Sequence, residues 1–340
     1  AMTDTGNEIS FDESKTLPDP LYIDVRSPAE YTEDHVPGAI NIPLFDNQER
    51  TEVGILYKVV GRDEAVIRGT EIVGQKLPSI VEQFLHYREH TIIIYCSRGG
   101  MRSGSVVSLL SSLGIRTYRL KDGYKGYRHH ITDSLSKIRI KPQLFILQGL
   151  TGVGKTEIIR LMEHSIDLEA MAGHRSSLFG GLGLEQKSQK CFESSIISRI
   201  NELQNAPYAI IEGESRKIGN LHIPEELFRL MRQAPVILVN ADIERRIDIL
   251  LREYVESIDT DSIHLIVESL RTKLGSETVN TLLSLFEKNE LREFTKILLE
   301  KYYDPLYKHT IGKMTFIGSV DNHDSLTAAA AVRSVIEGHI

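Results

Sequence analysis

The stretch Leu144-Phe-Ile-Leu-Gln-Gly149-Leu-Thr-Gly-Val-Gly154-Lys155-Thr156 constrains the fold of this chain more than any other. An apolar run of strand type leads into a complete Gly-x-x-x-x-Gly-Lys-Thr pattern, and residues of helical character follow it. In that context the backbone N–H groups of the loop converge on phosphate oxygens. We therefore predict a phosphate-binding loop (P-loop) in which Lys155 neutralises a diphosphate and acts catalytically, and Thr156 is placed to bind Mg²⁺.

The predicted diphosphate site takes most of its residues from this loop and one from a later strand. Tyr208-Ala-Ile-Ile-Glu212-Gly-Glu214 reads as an apolar strand that delivers acids beside the loop. Either acid could hold metal-bound water or be a plain surface residue, and the sequence leaves that choice open. The residues assigned to the site are Gly149, Thr151, Gly152, Val153, Gly154, Lys155, Thr156 and Glu214.

A second glycine-rich loop follows another apolar run, in Thr91-Ile-Ile-Ile-Tyr-Cys96-Ser-Arg-Gly-Gly-Met-Arg102-Ser. Inward N–H groups and the N-terminus of the next helix should create positive potential around the sulfur. We expect a lowered pKa for the Cys96 thiol, which is the condition for a nucleophilic cysteine. Arg98 and Arg102 are the other candidate catalytic residues, since they could add positive charge or grip an anion. The alternative is a buried structural cysteine.

The alternation of strand-like and helix-like segments predicts two α/β units. Strands are predicted at 22–25, 91–95, 116–120, 144–148, 208–212 and 236–240, and helices at 79–87, 102–113 and 155–164. The predicted organisation is an N-terminal tail at 1–15, an α/β domain with a parallel sheet at 16–135, a linker at 136–141 and a P-loop α/β domain at 142–340. A helical subdomain is predicted at about 243–303.

Composition favours a protein of the cytoplasm. The chain has 340 residues, 41% of them apolar, and a net charge of −7. Two cysteines are too few for a disulfide scaffold or a four-cysteine zinc site, and favour a reducing compartment. No apolar run has the length of a membrane span, and the polar, acidic N-terminus does not have the pattern of a signal peptide.

A local excess of basic residues lies between Ile115 and Lys141, where eight basic side chains accompany only two acidic ones. Tyr118, Tyr124 and Tyr127 are interleaved with them, so the stretch could hold phosphates and stack bases. The alternative is an ordinary solvated surface. The candidate nucleic-acid-binding residues are Arg116, Arg119, Lys121, Lys125, Arg128, Lys137 and Arg139.

The first half of the chain, over most of 16–130, resembles a rhodanese domain. The resemblance rests on four stretches: Asp24-Val-Arg-Ser-Pro-Ala-Glu-Tyr31, His35-Val-Pro-Gly-Ala-Ile-Asn-Ile-Pro43, the Cys96 loop and Leu120-Lys-Asp-Gly-Tyr124. It implies that Cys96 carries a persulfide or attacks a sulfur- or selenium-containing donor, and that Asp24 and Arg26 support the structure. Five residues separate Cys96 from Arg102, one more than in the commonest sulfurtransferase loop. Because cell-cycle dual-specificity phosphatases share that longer spacing, a cysteine-dependent phosphatase stays an alternative.

Taken together, the two halves resemble the tRNA 2-selenouridine synthases over nearly all of 16–310. Besides the two loops, the matching stretches are Glu49-Arg-Thr-Glu-Val-Gly-Ile-Leu-Tyr-Lys58, Leu168-Glu-Ala-Met-Ala-Gly-His-Arg-Ser-Ser-Leu-Phe-Gly180, Gln186-Lys-Ser-Gln-Lys-Cys-Phe-Glu193, Glu212-Gly-Glu-Ser-Arg-Lys-Ile-Gly219 and Tyr302-Tyr-Asp-Pro-Leu-Tyr307. The departures are Ser176 and Asp122, each where the family pattern has Gly. For Tyr302–Tyr307 we expect a packed helix end broken by Pro305.

The resemblance implies a two-step exchange on tRNA that carries 2-thiouridine at the wobble position. A geranyl group from geranyl diphosphate alkylates the sulfur, and selenium from selenophosphate then displaces the S-geranyl group. Mg²⁺ is the expected metal, no permanently bound cofactor is expected, a selenophosphate synthase is a candidate partner, and a monomer would suffice. The candidates for clamping the diphosphate or the tRNA backbone are His174, Arg175, Ser215 and Arg216.

Three other functions remain open from the sequence. The chain could be a P-loop kinase or NTPase of small molecules with an accessory rhodanese-like domain, which would bind and turn over ATP or GTP whether or not Cys96 is intact. It could also be a cysteine-dependent phosphatase, or a tRNA-binding regulator that forms no product.

Overall fold

The computed structural model describes residues 8–175, 177–254 and 259–340. The chain divides into two compact units, 1–136 and 137–340, and the division falls inside the segment predicted as a linker. Residues 1–7 of the predicted tail, the departure at Ser176 and residues 255–258 of the predicted helical subdomain lie outside the described residues. Each unit contains its own five-stranded parallel sheet.

The sheet of the first unit is built on a strand that is buried on both faces. Its spatial order is β1-β5-β4-β2-β3, and the side chains from Ile92 to Tyr95 in the central strand are inaccessible to solvent. A parallel strand covered by helices on both sides needs such a continuous apolar run. The strands of this sheet are β1 (Glu8–Ile9), β2 (Pro20–Asp24), β3 (Ile40–Asn41), β4 (Thr91–Tyr95) and β5 (Thr117–Leu120).

Six helices cover this sheet. They are α1 (Phe11–Ser14), α2 (Pro28–Glu33), α3 (Asn47–Val59), α4 (Arg62–Leu85), α5 (Met101–Ser112) and α6 (Gly123–Leu135). Helix α4 differs from the prediction, because it continues through Pro78 whereas we predicted a helix only from Ser79 onward. A proline within a helix removes one backbone hydrogen bond, and the apolar contacts of Ile72 and Ile80 with the core extend on both sides of it.

The prediction of an N-terminal tail at 1–15 is wrong for its described part. Strand β1 pairs in parallel with β5, and Ser10 begins α1 with a capping box to Glu13. The ring of Phe11 in α1 lies 4.9 Å from that of Tyr127, in an edge-on arrangement. Residues 8–14 therefore belong to the first unit, and their small number of apolar side chains explains why the sequence pattern missed them.

The second unit also contains a five-stranded parallel sheet, with the strand order β12-β11-β6-β8-β7. It has in addition one antiparallel hairpin. Strands β6 and β8 are almost entirely buried, as the apolar runs before Gly149 and Glu212 predicted. The strands are β6 (Gln143–Gln148), β7 (Ser165–Ile166), β8 (Tyr208–Glu212), β9 (Lys217–Ile218), β10 (Leu221–His222), β11 (Val236–Asn240) and β12 (Gly318–Asp321). The short strands β7, β9, β10 and β12 were not predicted.

The helices of the second unit separate into those on the sheet and those of a helical subdomain. The first group is α7 (Lys155–Arg160), α8 (Leu168–Ala172), α9 (Gln189–Glu202), which leads into a 3₁₀ turn (Leu203–Asn205), and α10 (Glu225–Gln233), with α17 (Ser325–Glu337) at the C-terminus. The second group is α11 (Ile243–Tyr254), α12 (Thr260–Ser269), α13 (Arg271–Leu274), α14 (Ser276–Glu287), α15 (Leu291–Leu298), a π-helical turn (Leu299–Tyr303) and α16 (Asp304–Ile311).

The α/β class and the two parallel sheets confirm the predicted fold. One detail at the end of the helical subdomain differs: Pro305 does not end a helix but lies in the first turn of α16, directly after the π-helical turn. Proline is tolerated there because the first N–H groups of a helix have no intrahelical acceptor. Among the helices in the described part of the chain, none is long and apolar enough to cross a membrane.

A buried ion pair joins three segments of the first unit. Arg26 donates from Nε and Nη2 to Oδ2 of Asp24 at 2.9 and 2.6 Å, and both residues are almost fully buried. The same Nη2 donates to the carbonyl of Asp34 at 2.7 Å, and the guanidinium lies 3.9 Å from the ring centroid of Tyr124. The ends of β2 and α2 are thereby tied to the first turn of α6.

We expect Arg26→Ala to lower the free energy of unfolding of the first unit by about 3–5 kcal/mol, because Asp24 would remain buried without its partner. Hydrogen–deuterium exchange of the β4 amides measures that loss locally. The control is Arg68→Ala, which removes a surface cation paired with Glu52 and Glu71 and should cost less than about 1 kcal/mol. Equal exchange rates in the two variants would contradict this role for Arg26.

Candidate active sites of the two units

The Cys96 loop connects the carboxyl end of β4 to the N-terminus of α5. Gly99 has φ +62°, and a Cβ at this position would lie 2.9 Å from the carbonyl oxygen of Leu120. Tyr124 donates its backbone N–H to the carbonyl of Cys96 at 2.9 Å. The loop is therefore packed against the turn before α6. In that turn Asp122 has φ +56°, a conformation that glycine adopts more readily, which explains the family preference for Gly there.

The sulfur of Cys96 is buried and surrounded by donors. Ser103 donates its hydroxyl to Sγ at 3.2 Å, and the backbone N–H groups of Ser103 and Arg98 also point at the sulfur. Burial acts to raise the pKa of the Cys96 thiol, but these hydrogen bonds and the charge of Arg102 outweigh it and lower that pKa below its ordinary value. The direction agrees with the sequence-based expectation of a thiol that ionises readily.

The two candidate arginines of this loop are in different situations. Arg102 donates from Nη1 and Nη2 to the two carboxylate oxygens of Glu30, at 2.8 and 3.3 Å. Burial would raise the pKa of Glu30, but Arg102, the N–H of Ser27 and Arg50 lower it to about 2. Glu30 thus stays charged and holds Arg102 beside the loop. The side chain of Arg98 is exposed and makes no ion pair within the described residues.

Several side chains of the basic stretch between Ile115 and Lys141 are not free to bind nucleic acid as the sequence suggested. Arg119 pairs with Glu8 at 3.4 Å, and Arg128 lies 3.6 Å from the buried carboxylate of Asp34. Tyr127 is buried and Tyr124 donates its hydroxyl to Asp34, so neither ring is a free surface for stacking bases. The exposed candidates are Arg116, Lys121 and Lys125 in the first unit and Lys137 and Arg139 in the second.

The P-loop of the second unit runs from the end of β6 to the start of α7, as predicted from its motif. A cavity of about 80 Å³ lies over it. Lys155 crosses the loop and donates from Nζ to the carbonyl of Gly149 at 3.0 Å. Val153 is buried beneath the loop, whereas the other predicted diphosphate-binding residues line the cavity: Gly149, Thr151, Gly152, Gly154, Lys155, Thr156 and Glu214.

Three residues that the motif does not contain hold the outer side of this loop. Arg246 donates from Nε to the carbonyl of Thr151 at 2.8 Å, and its Nη1 and Nη2 bind the carboxylate of Asp304 at 3.2 and 2.6 Å. Asn322, after β12, donates from Nδ2 to the carbonyl of Val153 at 2.8 Å. All three side chains are buried. Sequence analysis gave no indication of Arg246 or Asn322, and it treated Asp304 only as part of a packed helix end.

The carboxylate closest to the Thr156 hydroxyl is Glu169, which sequence analysis did not single out. Thr156 donates from Oγ1 to Oε2 of Glu169 at 2.9 Å, and the N–H of Glu169 donates to Oε1 of Glu212 at 2.9 Å. Burial, together with the charges of Glu169 and Glu214, raises the pKa of Glu212 well above its usual range. Glu212 is a buried support for Glu169, and Glu214 is the member of the predicted pair that lines the cavity.

These groups fit the Mg²⁺ that the motif implies. Magnesium binds oxygen ligands, usually one or two protein groups together with substrate phosphates and water. The Thr156 hydroxyl and the carboxylates of Glu169 and Glu214 supply such oxygens at one end of the cavity. No cluster of three or more His, Cys, Asp or Glu with metal-binding geometry occurs within 8–175, 177–254 or 259–340, so a metal here would also need ligands from the substrate.

The four residues predicted to clamp the substrate separate into two pairs. Arg175 and Ser215 line the cavity, beside Glu253, whose pKa is raised to about 7 by burial and by the neighbouring Glu169. His174 packs against Gly180, Gly181 and Gly219 instead, and burial lowers the pKa of its imidazole. Arg216 forms an exposed ion pair with Glu225. Only Arg175 and Ser215 therefore lie at the P-loop cavity.

Both halves of the chain match described families. Residues 142–330 match the tRNA 2-selenouridine synthase AAA domain, and residues 10–130 match the rhodanese-like domain. Three proteins named tRNA 2-selenouridine synthase are similar over most of the chain. The protein of Hydrogenovibrio crunogenus is 33% identical and covers 88% of this chain and 92% of its own. The protein of Pseudomonas syringae pv. tomato is 31% identical and covers 89% of this chain and 93% of its own. That of Cupriavidus pinatubonensis is also 31% identical and covers 84% of this chain and 87% of its own.

We expect Ser103→Ala to raise the pKa of Cys96, because the thiolate loses a hydrogen bond. In a Cys191→Ser background, the rate of alkylation by iodoacetamide at pH 7 should fall about five-fold for a bond of ~1 kcal/mol. The midpoint of its pH profile should move to higher pH. Ser105→Ala is the control, since the Ser105 hydroxyl bonds to the carbonyl of Met101 on the same helix. An unshifted profile in Ser103→Ala would contradict the assignment.

We expect Gly154→Ala to weaken the binding of inorganic diphosphate by at least about ten-fold, the effect of losing ~1.4 kcal/mol. A Cβ at Gly154 would lie 2.4 Å from Nδ2 of Asn322 and force that side chain off the loop. The control is Gly275→Ala, at a similar φ of +78° with no atom within 4 Å of the new Cβ. Isothermal titration with diphosphate and Mg²⁺ measures both variants. Gly275 is the N-cap of α14 and does not line the P-loop cavity, so Gly275→Ala should bind diphosphate as wild type does. Equal weakening would mean that a general loss of stability, and not the contact with Asn322, is responsible.

Proposed function

The chain belongs to the tRNA 2-selenouridine synthase family, and from that premise we propose that it converts wobble 2-thiouridine of tRNA to 2-selenouridine through an S-geranyl intermediate. The observation that supports this most is the pairing of a Cys96 loop that stabilises a thiolate with a P-loop that cradles a diphosphate. A small-molecule kinase or NTPase needs only the second loop, and a cysteine-dependent phosphatase only the first.

The proposed first step takes place at the P-loop. The sulfur of 2-thiouridine attacks C1 of geranyl diphosphate, the C1–O bond breaks with its electron pair going to the departing diphosphate, and the base loses its N3 proton. The loop N–H groups and Lys155 neutralise the charge that develops on the leaving group. Thr156, Glu169 and Glu214 would hold Mg²⁺, which when bound supplies further charge neutralisation. Arg175, at the same cavity, adds a guanidinium suited to phosphate oxygens.

The proposed second step takes place at the Cys96 loop. The Cys96 thiolate adds to C2 of the base, the C2–S bond to the geranylthio group breaks, and geranylthiolate leaves and takes a proton from water. The selenium of selenophosphate then adds to C2, and the bond from C2 to the Cys96 sulfur breaks, which returns the thiolate. Water cleaves the Se–P bond and phosphate is released. The lowered pKa of Cys96 supports this role as a nucleophile toward the base. As a selenium carrier, Cys96 would need a two-electron oxidant to take up selenide-level selenium, so the nucleophile role is the one proposed. A phosphatase would need the Arg102 guanidinium to bind the substrate phosphate. Both Nη atoms of Arg102 donate to Glu30 instead, which disfavours that function.

The tRNA would be bound in part through exposed cations. Arg116, Lys121, Lys125, Lys137 and Arg139 are exposed, and contacts of this type go to phosphates without reading the sequence. Arg119 and Arg128 are partly engaged by acidic partners. We therefore assign phosphate binding to the five exposed residues.

We expect Lys155→Ala and Cys96→Ser to block different steps. With 2-thiouridine tRNA, Mg²⁺, geranyl diphosphate and selenophosphate, Lys155→Ala should slow geranylation by at least about 100-fold, as expected for removal of a group that neutralises a leaving charge. Cys96→Ser should accumulate S-geranyl-2-thiouridine and form no 2-selenouridine. Mass spectrometry of the nucleosides distinguishes these products.

Cys191→Ser is the matched control for the cysteine variant, because Cys191 lies in α9 and belongs to neither loop. A block of both variants at the same step would contradict the division of labour. Unchanged nucleosides together with hydrolysis of added ATP by the wild-type protein would favour the small-molecule kinase or NTPase instead.

A further inference from the structure

The first unit contains a large groove that the proposed chemistry does not yet use. It has a volume of about 1120 Å³ and lies between the α3–α4 helix pair and α5. Most of the groove is apolar, and several of its side chains are unusually exposed for their type: Tyr57 is 54%, Val66 42% and Met101 52% exposed. Exposed apolar surface that lines a concavity is characteristic of a ligand site.

One end of the groove opens at the Cys96 loop. Arg98, Gly100, Met101 and Arg102 line that end, and the N–H of Arg98 points at the Cys96 sulfur. Arg62 holds the start of α4 beside the loop, with its Nη2 3.8 Å from the sulfur of Met101. A molecule that enters the groove from this end therefore carries its polar head to the candidate nucleophile.

The charges at the groove favour an apolar chain that is attached to a molecule with anionic phosphates, as in tRNA. Arg98 and Lys58 line the groove without an ion pair to any residue that the structure describes, whereas Arg102 and Arg119 form ion pairs with Glu30 and Glu8. The interior offers Val73, Leu77 and Leu109. Burial of a ten-carbon chain in this groove would favour binding, because the favourable free energy grows with the apolar surface removed from water. The volume also exceeds the ~150 Å³ apolar cavity that holds benzene.

We propose that this groove binds the terpenyl chain of S-geranyl-2-thiouridine tRNA and presents C2 of the base to the Cys96 loop for the selenium step. The inference rests on the proposed function. It gives the geranyl group a second purpose beyond making the sulfur a leaving group. Because only the geranylated base carries the chain, binding in the groove selects the intermediate over unmodified 2-thiouridine, and geranylthiol leaves with the chain once the C2–S bond breaks.

A steric block on α5 tests the proposal by activity. Ser108 is exposed, lines the groove and lies in the middle of α5, so Ser108→Phe fills the groove without burying a polar group. The matched control is Ser112→Phe, one turn further along the same helix and outside the groove. With tRNA that is already geranylated, kcat/KM for 2-selenouridine formation should fall at least ten-fold in Ser108→Phe. Geranylation of 2-thiouridine tRNA should fall much less, and Ser112→Phe should behave as wild type.

A direct binding measurement uses the absence of tryptophan from the sequence. Val66→Trp places the sole tryptophan in the groove, and Leu326→Trp places it on α17, on a side chain that is 72% exposed. S-geranyl-2-thiouridine should shift the emission of the first variant to shorter wavelength in a saturable way. 2-Thiouridine should not do so, and Leu326→Trp should not respond.

The outcomes separate this proposal from the proposed function. Normal selenium exchange by Ser108→Phe, or a silent Val66→Trp, would overturn the groove assignment even if wild type carries out both steps. A change of oligomeric state in Ser108→Phe, seen by analytical ultracentrifugation, would make the groove an interface between copies and would also overturn it. Failure of wild type to form either product would overturn the proposed function, while the emission of Val66→Trp would still decide whether the groove binds a terpenyl chain.

Discussion

The buried pair of Arg246 and Asp304 is the interaction on which the P-loop depends most. A loop that turns its N–H groups toward a ligand turns carbonyl groups outward, and buried carbonyl groups need donors. Arg246 satisfies the carbonyl of Thr151 while Asp304 balances its charge, so the guanidinium can be buried. Since Arg246 lies on α11 and Asp304 begins α16, the loop is held by the helical subdomain as well as by the sheet.

The two loops of this protein use the same backbone geometry for different chemistry. Each follows a buried parallel strand and ends at a helix N-terminus, where N–H groups are free to stabilise negative charge. At Cys96 that charge is carried by the protein, and hydrogen bonds from Ser103 and Arg98 lower the pKa of the thiol. At Gly149–Thr156 the loop has no anionic side chain of its own and adds Lys155, so the negative charge must come from a ligand.

Local sequence patterns were sufficient to predict the central strands and the two loops. The strands β4, β6, β8 and β11 lie where their apolar runs predicted, because burial on both faces requires an uninterrupted apolar sequence. Elements stabilised mainly by pairing were missed: the two-residue strand β1, which pairs with β5, and the continuation of α4 through Pro78. The candidate site was incomplete for the same reason, since Glu169 resembles an ordinary acid until Thr156 is placed beside it.

By itself, the sequence determined the two α/β units, the P-loop, the reactive setting of Cys96 and the resemblance to tRNA 2-selenouridine synthases, because each depends on residues close together in the chain. Only the tertiary structure determined which side chains hold the two loops in place. The contact from Arg246 to Thr151 spans 95 positions, and that from Asn322 to Val153 spans 169. Tertiary structure also buried Tyr127, paired Arg102 with Glu30 and left the groove beside α5 open. Burial and partner choice are set by which distant segments pack together, and no local pattern carries that information.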